Sequence, residues 1–165
     1  MIQFDRGDDR FSLRVAGVAL RRGRVLLHKS VDDDFWCLPG GRAEFREGAA
    51  ATLRREMLEE LAVEVQIERL LFVVENFFPH DARHYHELGL YFLMRLPGDW
   101  EHLDAAASFE GREGDAVVEF RWYPLERLDD VVVYPEFLRT DLAALPQATT
   151  HIIEVDRQLA DRVEV

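Results

Sequence analysis

Apolar and polar residues alternate along residues 12–20 and 24–29, and the turn-forming Arg21-Arg22-Gly23-Arg24 lies between them. Alternation of period two marks a half-buried strand, so two strands are expected here. The acidic triplet Asp32-Asp33-Asp34 that follows reads as solvated loop. Then the period changes. Ala50, Leu53, Met57 and Leu61 fall on one narrow stripe at about 100° per residue, the face that a helix buries against a sheet. Beyond it, residues 63–77 and 85–96 are rich in β-branched and aromatic side chains and flank Pro79-His80-Asp81-Ala82, which predicts a long hairpin. Residues 97–115, with Pro97-Gly98, Gly111 and Gly114, read as a loop. A strand at 117–123, a short helix at 124–129, a second helix from Pro135 to Ala144 and a last strand from His151 to Val155 complete the pattern.

Strands and helices interleave without a regular βαβ rhythm, so an α+β fold with a mixed sheet between helices is expected, not a doubly wound parallel one. With 165 residues, 48% of them hydrophobic, the chain can bury one full core, and no repeat, low-complexity tract or linker divides it. A single domain over residues 1–165 is the expectation. No apolar run has membrane-spanning length and the start, MIQFDRGDDR, lacks the features of a secretory signal, which points to the cytoplasm. The lone Cys37 sits in an apolar stretch and reads as a small buried side chain. A net charge of −12 argues against nucleic acid and anionic membrane as partners and favours a small molecule. If that molecule carries phosphates, the site must supply local cations, from a metal or from arginines such as Arg14, Arg42 and Arg46.

One stretch carries chemistry. In residues 41–63, GRAEFREGAAATLRREMLEELAV, Glu56, Glu59 and Glu60 cluster beside the apolar stripe of the helix, where like charges repel. Arg55 is expected to point well away from them, which leaves a hard divalent cation with a preference for oxygen ligands as the neutraliser. Alone, EMLEE would be an ordinary solvated face; the glycine turn Gly40-Gly41 and Glu47 upstream make it a site. Backbone can approach a ligand at those glycines. Glu47 falls in the first helical turn, where capping or bracing and direct metal contact both fit.

Gly41, Glu47, Arg55-Glu56, Glu59-Glu60 and Val63 together resemble the Nudix box, G-x5-E-x7-R-E-U-x-E-E-x-G-U with U a bulky aliphatic. Every specified position matches except Ala62, which replaces the last glycine. The family glycine ends the box helix where left-handed backbone is common, so the replacement costs roughly 1 kcal/mol or moves the cap by a residue. The resemblance implies a Nudix-like α/β/α sandwich and hydrolysis of the pyrophosphate bond of a nucleoside diphosphate linked to a group X, with Mg²⁺ as cofactor and Mn²⁺ as its substitute. Carried onto matching positions, it implies that Glu59 and Glu60 hold the metal, that Gly40 adds its carbonyl, that Glu56 binds metal or takes the water's proton, and that Arg55 orients Glu56.

Outside the box the signals are weaker. Glu119 lies on the strand that in many Nudix proteins returns near the metals, and reads as an extra ligand, a base or an exposed strand residue. Glu75 and His86, with Asn76, His84 and Glu87, edge a substrate pocket or pair across the hairpin. Pro79 lies 16 residues beyond the box, close to where ADP-ribose-cleaving members often carry a proline, although a hairpin turn also accounts for it. A non-catalytic nucleotide sensor or scaffold is the alternative, opposed by the intact glutamates, and RNA decapping is disfavoured by the absence of a basic patch. Family members often form homodimers, and a hairpin edge offers a surface for a second copy.

Overall fold

The computed structural model describes residues 1–165. Its strands are β1 (Gln3–Arg6), β2 (Asp9–Val18), β3 (Leu20–Arg21), β4 (Arg24–Ser30), β5 (Gly40–Arg42), β6 (Gln66–His80), β7 (Arg83–Arg95), β8 (Phe109–Glu113), β9 (Ala116–Pro124) and β10 (Thr150–Val155). Helix α1 spans Ala49–Leu61, a 3₁₀ segment spans Leu125–Asp130, and α2 is the single turn Leu138–Asp141. The first sheet runs β1-β2-β7-β6-β10, with β5 also on β2; the second runs β3-β4-β9-β8. In the first, β2 pairs with β7 and β10 with β6 in parallel while the other pairs are antiparallel, so the sheet is mixed.

Two cores lie on the two sides of these sheets. Leu53 and Met57 of α1, both fully buried, pack with Val15, Leu26, Met94 and Phe120. On the other side Leu38, Phe72 and Tyr91 pack with Leu128 of the 3₁₀ segment and Leu138 of α2. The alternation that defines each strand therefore feeds two helical layers, which gives the α/β/α sandwich. No helix is long and apolar enough to cross a membrane.

The two turns expected from sequence are both present and both use left-handed backbone. Arg22 and Gly23 have φ of 49° and 72°, and Asp81 and Ala82 have φ of 49° and 58°, so each joins its strands through two residues of positive φ, a geometry that matches strand twist. Pro79 and His80 are thus still in β6, paired with His84 and Arg83. Three strands escaped the pattern. β1 and β5 are short edge pieces, and β8 lies inside the stretch that reads as loop because Gly111 interrupts it. Gly111 is required there: an added Cβ would lie 2.7 Å from the Glu60 backbone oxygen and 2.5 Å from the Phe120 ring. That close approach seats the end of α1 on β8. The second helix is shorter than the expected Pro135 to Ala144, since only Leu138–Asp141 closes a helical turn.

Helix α1 stops where the sequence departs from the glycine pattern. Ala62 is left-handed, φ 50° and ψ 34°; its N–H donates to the Leu58 carbonyl at 3.0 Å and the Val63 N–H to the Met57 carbonyl at 3.4 Å. The chain then turns at once into buried Val63 and Val65.

Candidate active site

Arg55 organises the start of α1. Its Nε donates to Glu47 Oε1 at 2.9 Å and Nη2 to Glu47 Oε2 at 3.0 Å, while Nη1 reaches Glu56 at 2.8 Å and Glu59 at 3.1 Å. This corrects the expectation that Arg55 points away from the carboxylates. An arginine side chain is long enough to fold back along the helix, and Glu59 is its i+4 neighbour. Glu47 also accepts from the Glu44 N–H at 3.2 Å and from Thr52 Oγ1 at 2.9 Å. With both oxygens engaged, Glu47 braces the loop onto the helix in this structure. The Arg55 guanidinium, helped by Thr52 and the Glu44 amide and opposed by burial, holds the Glu47 pKa down at about 2.

Glu56 lies against the glycine turn. An added Cβ on Gly41 would fall 2.3 Å from its carboxyl carbon, so the missing side chain is the space that the carboxylate fills. Burial pushes the Glu56 pKa above the ordinary range, the Arg55 contact pulls it back, and Glu60 and Glu59 add to the rise. Gly40 has φ of 143° and a Cβ there would lie 2.1 Å from the Val15 oxygen, so it too admits only glycine.

Glu60 is the unusual group. It is 5% exposed, and neither carboxylate oxygen has a hydrogen-bond partner. Its nearest cation is the His28 ring, Nδ1 at 3.6 Å, too long for a hydrogen bond. Burial opposes a charge on His28, yet the neighbouring Cys37 and Glu60 side chains outweigh it and lift its pKa to about 9. His28 Nε2 lies 3.4 Å from Arg14 Nη2, which also donates to the Leu38 carbonyl at 3.1 Å and approaches the Gly40 carbonyl at 3.5 Å. Sequence reasoning passed over His28, although a lone polar side chain in the apolar run Val25-Leu26-Leu27 was a visible signal.

With His28 at 3.6 Å and no hydrogen bond, the buried Glu60 carboxylate keeps its lone pairs open, and a second cation in direct contact would fill them. The surrounding donors, Glu56, Glu59 and the Gly40 carbonyl, are all oxygens and suit a hard divalent ion. In this conformation the carboxylates are not gathered on one point, because Glu59 is turned out to Arg55 with its side chain 59% exposed. The residues fit the metal through Glu60 first.

On the other side of His28 from Glu60 opens a cavity of about 920 Å³ lined by Arg14, His28, Gly40, Arg42, Asn76 and Glu87 among others. Cys37 lines it as well, only partly buried. Three expected pocket residues lie elsewhere. Glu75 and His86 are on the opposite face of the hairpin, because Asn76 and Glu87 are paired across it and point into the cavity, and a step of one residue reverses the face. Glu75 instead meets His151 at 2.8 Å and His86 at 3.8 Å, and the His86 ring stacks on Phe77 at 4.3 Å. Arg46 is exposed in the loop, φ 68°, away from the cavity. Glu119 is displaced for the same reason of period: its neighbour Phe120 packs on His28, so Glu119 faces the other side and meets Lys29 at 3.8 Å.

The NUDIX domain model matches residues 11–141, which contain every group of this site. The chain belongs to the Nudix family. A Mycobacterium tuberculosis protein that carries the name of a mutator protein, MutT4, is 30% identical over 116 residues, 70% of this chain and 40% of that one. Alignments with the curated relatives span 37% to 43% of those proteins' lengths. Among solved structures, a MutT Nudix hydrolase of Burkholderia pseudomallei is 25% identical, covers 81% of this chain and 95% of its own, and has a TM-score of 0.55. An ADP-ribose pyrophosphatase of Streptococcus suis shares the Nudix fold at 16% identity, with a TM-score of 0.59 over 86% of this chain and 98% of that one.

Proposed function

We propose that this Nudix chain hydrolyses the pyrophosphate bond of a nucleoside diphosphate linked to X, with Mg²⁺ or Mn²⁺ as cofactor. The observation that carries this reading is the Glu60 carboxylate, buried without a hydrogen bond behind His28, whose ring lines a large cavity. A folded chain keeps such a group where a bound ligand completes it. Bound there, a divalent ion would neutralise charge on the phosphate oxygens and lower the pKa of a coordinated water.

The chain's own residues supply the rest. Glu60, Glu56 and the Gly40 carbonyl would hold the metal, together with Glu59 if it turned in from Arg55. Glu56 is the proton acceptor: burial raises its basicity, and Arg55 at 2.8 Å fixes its orientation. Arg14, held by the Leu38 carbonyl, puts a permanent cation against the cavity beside His28, where a phosphate would sit. Similarity to a solved ADP-ribose pyrophosphatase, together with Pro79 in the cavity wall, supports ADP-ribose as the first candidate substrate.

A panel of ADP-ribose, oxidised and normal nucleoside triphosphates, dinucleoside polyphosphates and nucleotide sugars tests the reading. Metal-dependent release of a nucleoside monophosphate, or of pyrophosphate from a triphosphate, is expected with at least one of them. Binding without turnover across the panel would leave a nucleotide sensor in its place.

A further inference from the structure

The cavity floor is ordered in rows. Strand register sets Ser12 of β2, Glu87 of β7, Asn76 of β6 and Glu154 of β10 side by side across four neighbouring strands, a row with a polar side chain on every strand. Two residues further along, the row is Arg14, Gly89 and Val74; two residues back, it is Arg10, Tyr85 and Phe78. Same-face residues recur every ~6.6 Å along a strand. Going outward from Glu60, the floor thus presents a cationic row, a hydrogen-bonding row and an aromatic row.

Within the middle row, two members are already committed and two are not. Glu154 accepts from the backbone N–H groups of Glu136 and Phe137, the latter at 2.9 Å, and so pins that segment to the sheet. Ser12 donates to Glu87 at 3.4 Å, a weak contact. Asn76, 8% exposed, makes no side-chain hydrogen bond within the protein, and Glu87 has no other partner; both line the cavity. A buried amide and a half-buried carboxylate left open on a cavity floor are served by a ligand with hydrogen-bonding groups. Phosphate is the wrong ligand for this row, because the Glu87 carboxylate repels it. Flat rings are better served one row out, where Phe78 and Tyr85 stack at 4.9 Å and Arg10 lies over the Tyr85 ring at 5.6 Å. What remains is a neutral group rich in hydroxyls, for which a carboxylate accepts two O–H donors at once and the amide can both donate and accept.

We infer that Glu87 and Asn76 read the vicinal hydroxyls of a ribose, so that the site takes ribonucleotides and discriminates against 2′-deoxyribonucleotides. The rows then follow a nucleotide in its own order: phosphate at Arg14 and Gly40, sugar at Glu87 and Asn76, base at Tyr85 and Phe78. This deepens the proposed hydrolysis and rests on it for the placement of the phosphate. A site built to bond a hydroxyl rejects the analogue without it strongly, because its own buried polar groups are left unpaired.

Matched ligand pairs test this on the wild-type protein: AMP, GMP, CMP and UMP against their 2′-deoxy forms, and ribose 5-phosphate against 2-deoxyribose 5-phosphate, read by thermal shift and by titration calorimetry with Mg²⁺ present. Preference for the ribo form by at least about tenfold in Kd supports the inference, and the pair that shows it tells a nucleoside ribose from the terminal ribose of X. Equal binding of ribo and deoxy forms in every pair overturns it, even if hydrolysis is observed. Preference for ribo forms with no hydrolysis of any substrate supports it and removes the hydrolase reading alone. Glu87→Gln and Asn76→Ala, each checked for its own melting transition, should bring the preference within about threefold in Kd; an unchanged preference in both folded variants also overturns it.

Discussion

A Cβ built on Gly41 would lie 2.3 Å from the carboxyl carbon of Glu56, closer than any pair of non-bonded carbons tolerates. The glycine turn and the helix are therefore one unit: the missing side chain of one residue is the binding place of the other's carboxylate. Gly41→Ala has to move Glu56 or the turn. The expected result is a loss of about 1 to 3 kcal/mol in stability from the forced repacking, with turnover down by at least about 10²-fold because the carboxylate is displaced from its line of attack. Urea denaturation and steady-state kinetics on the same preparation check both parts. A fully active Gly41→Ala would show that the position of Glu56 does not matter.

Glu56 and Glu119 compete for the role of proton acceptor, and the structure places them very differently. Glu56 is buried against the turn, whereas Glu119 pairs with Lys29 on the far face of its sheet. Glu56→Gln should lower kcat by roughly 10² to 10⁴, the usual scale for a lost general base. Glu119→Gln should leave kcat within about threefold of wild type, since only a half-buried, long ion pair with Lys29 at 3.8 Å is lost. The reverse outcome in a substrate-saturated assay would move the base outside the box helix.

Acid stability reports on the Arg55 hub. The Glu47 carboxyl is drawn from its ordinary 4.5 to about 2, first of all by Arg55. Between those values the unfolded chain binds a proton that the folded chain refuses, so the contribution is full above pH 4.5 and disappears as the pH falls through about 2. Solvent screening at this partly open site reduces it to about 1 kcal/mol. Glu47→Gln should cost that amount at pH 7 and almost nothing at pH 2, measured by denaturant titration at both. An equal cost at the two pH values would mean that Glu47 stabilises by shape alone.

Ala62 tests the closure of α1. Its φ of 50° strains any residue with a Cβ, and glycine removes the strain. Ala62→Gly should raise the stability by up to about 1 kcal/mol and leave kcat unchanged. A lower melting midpoint would contradict the left-handed cap.

The box was legible in the sequence because its spacing is set by chemistry: Glu47, Arg55, Glu56 and Glu60 are fixed by what they must reach, and a residue count preserves that. The long hairpin was legible for its β-branched and aromatic runs. Which face of the hairpin lines the cavity was not, since Glu75, Phe77 and His86 on one face are as polar and aromatic as Asn76, Phe78 and Glu87 on the other. Only the packing of the second core chooses between them. β8 was hidden by Gly111, a residue that weakens a strand pattern and is present here to admit the end of α1. The Arg55 to Glu59 pair, by contrast, stood at i, i+4 in the sequence and was open to reading.

If Glu60 holds a divalent ion, the melting midpoint depends on Mg²⁺ without any substrate present. In wild type the midpoint should climb with Mg²⁺, by about 2.7 kcal/mol of added stability at a hundredfold excess over Kd. Glu60→Gln should respond to Mg²⁺ hardly at all, whatever its metal-free midpoint, which also registers the loss of the counter-charge to His28. A Glu60→Gln protein that gains as much from Mg²⁺ as wild type does, or a wild type that gains nothing, would contradict the account.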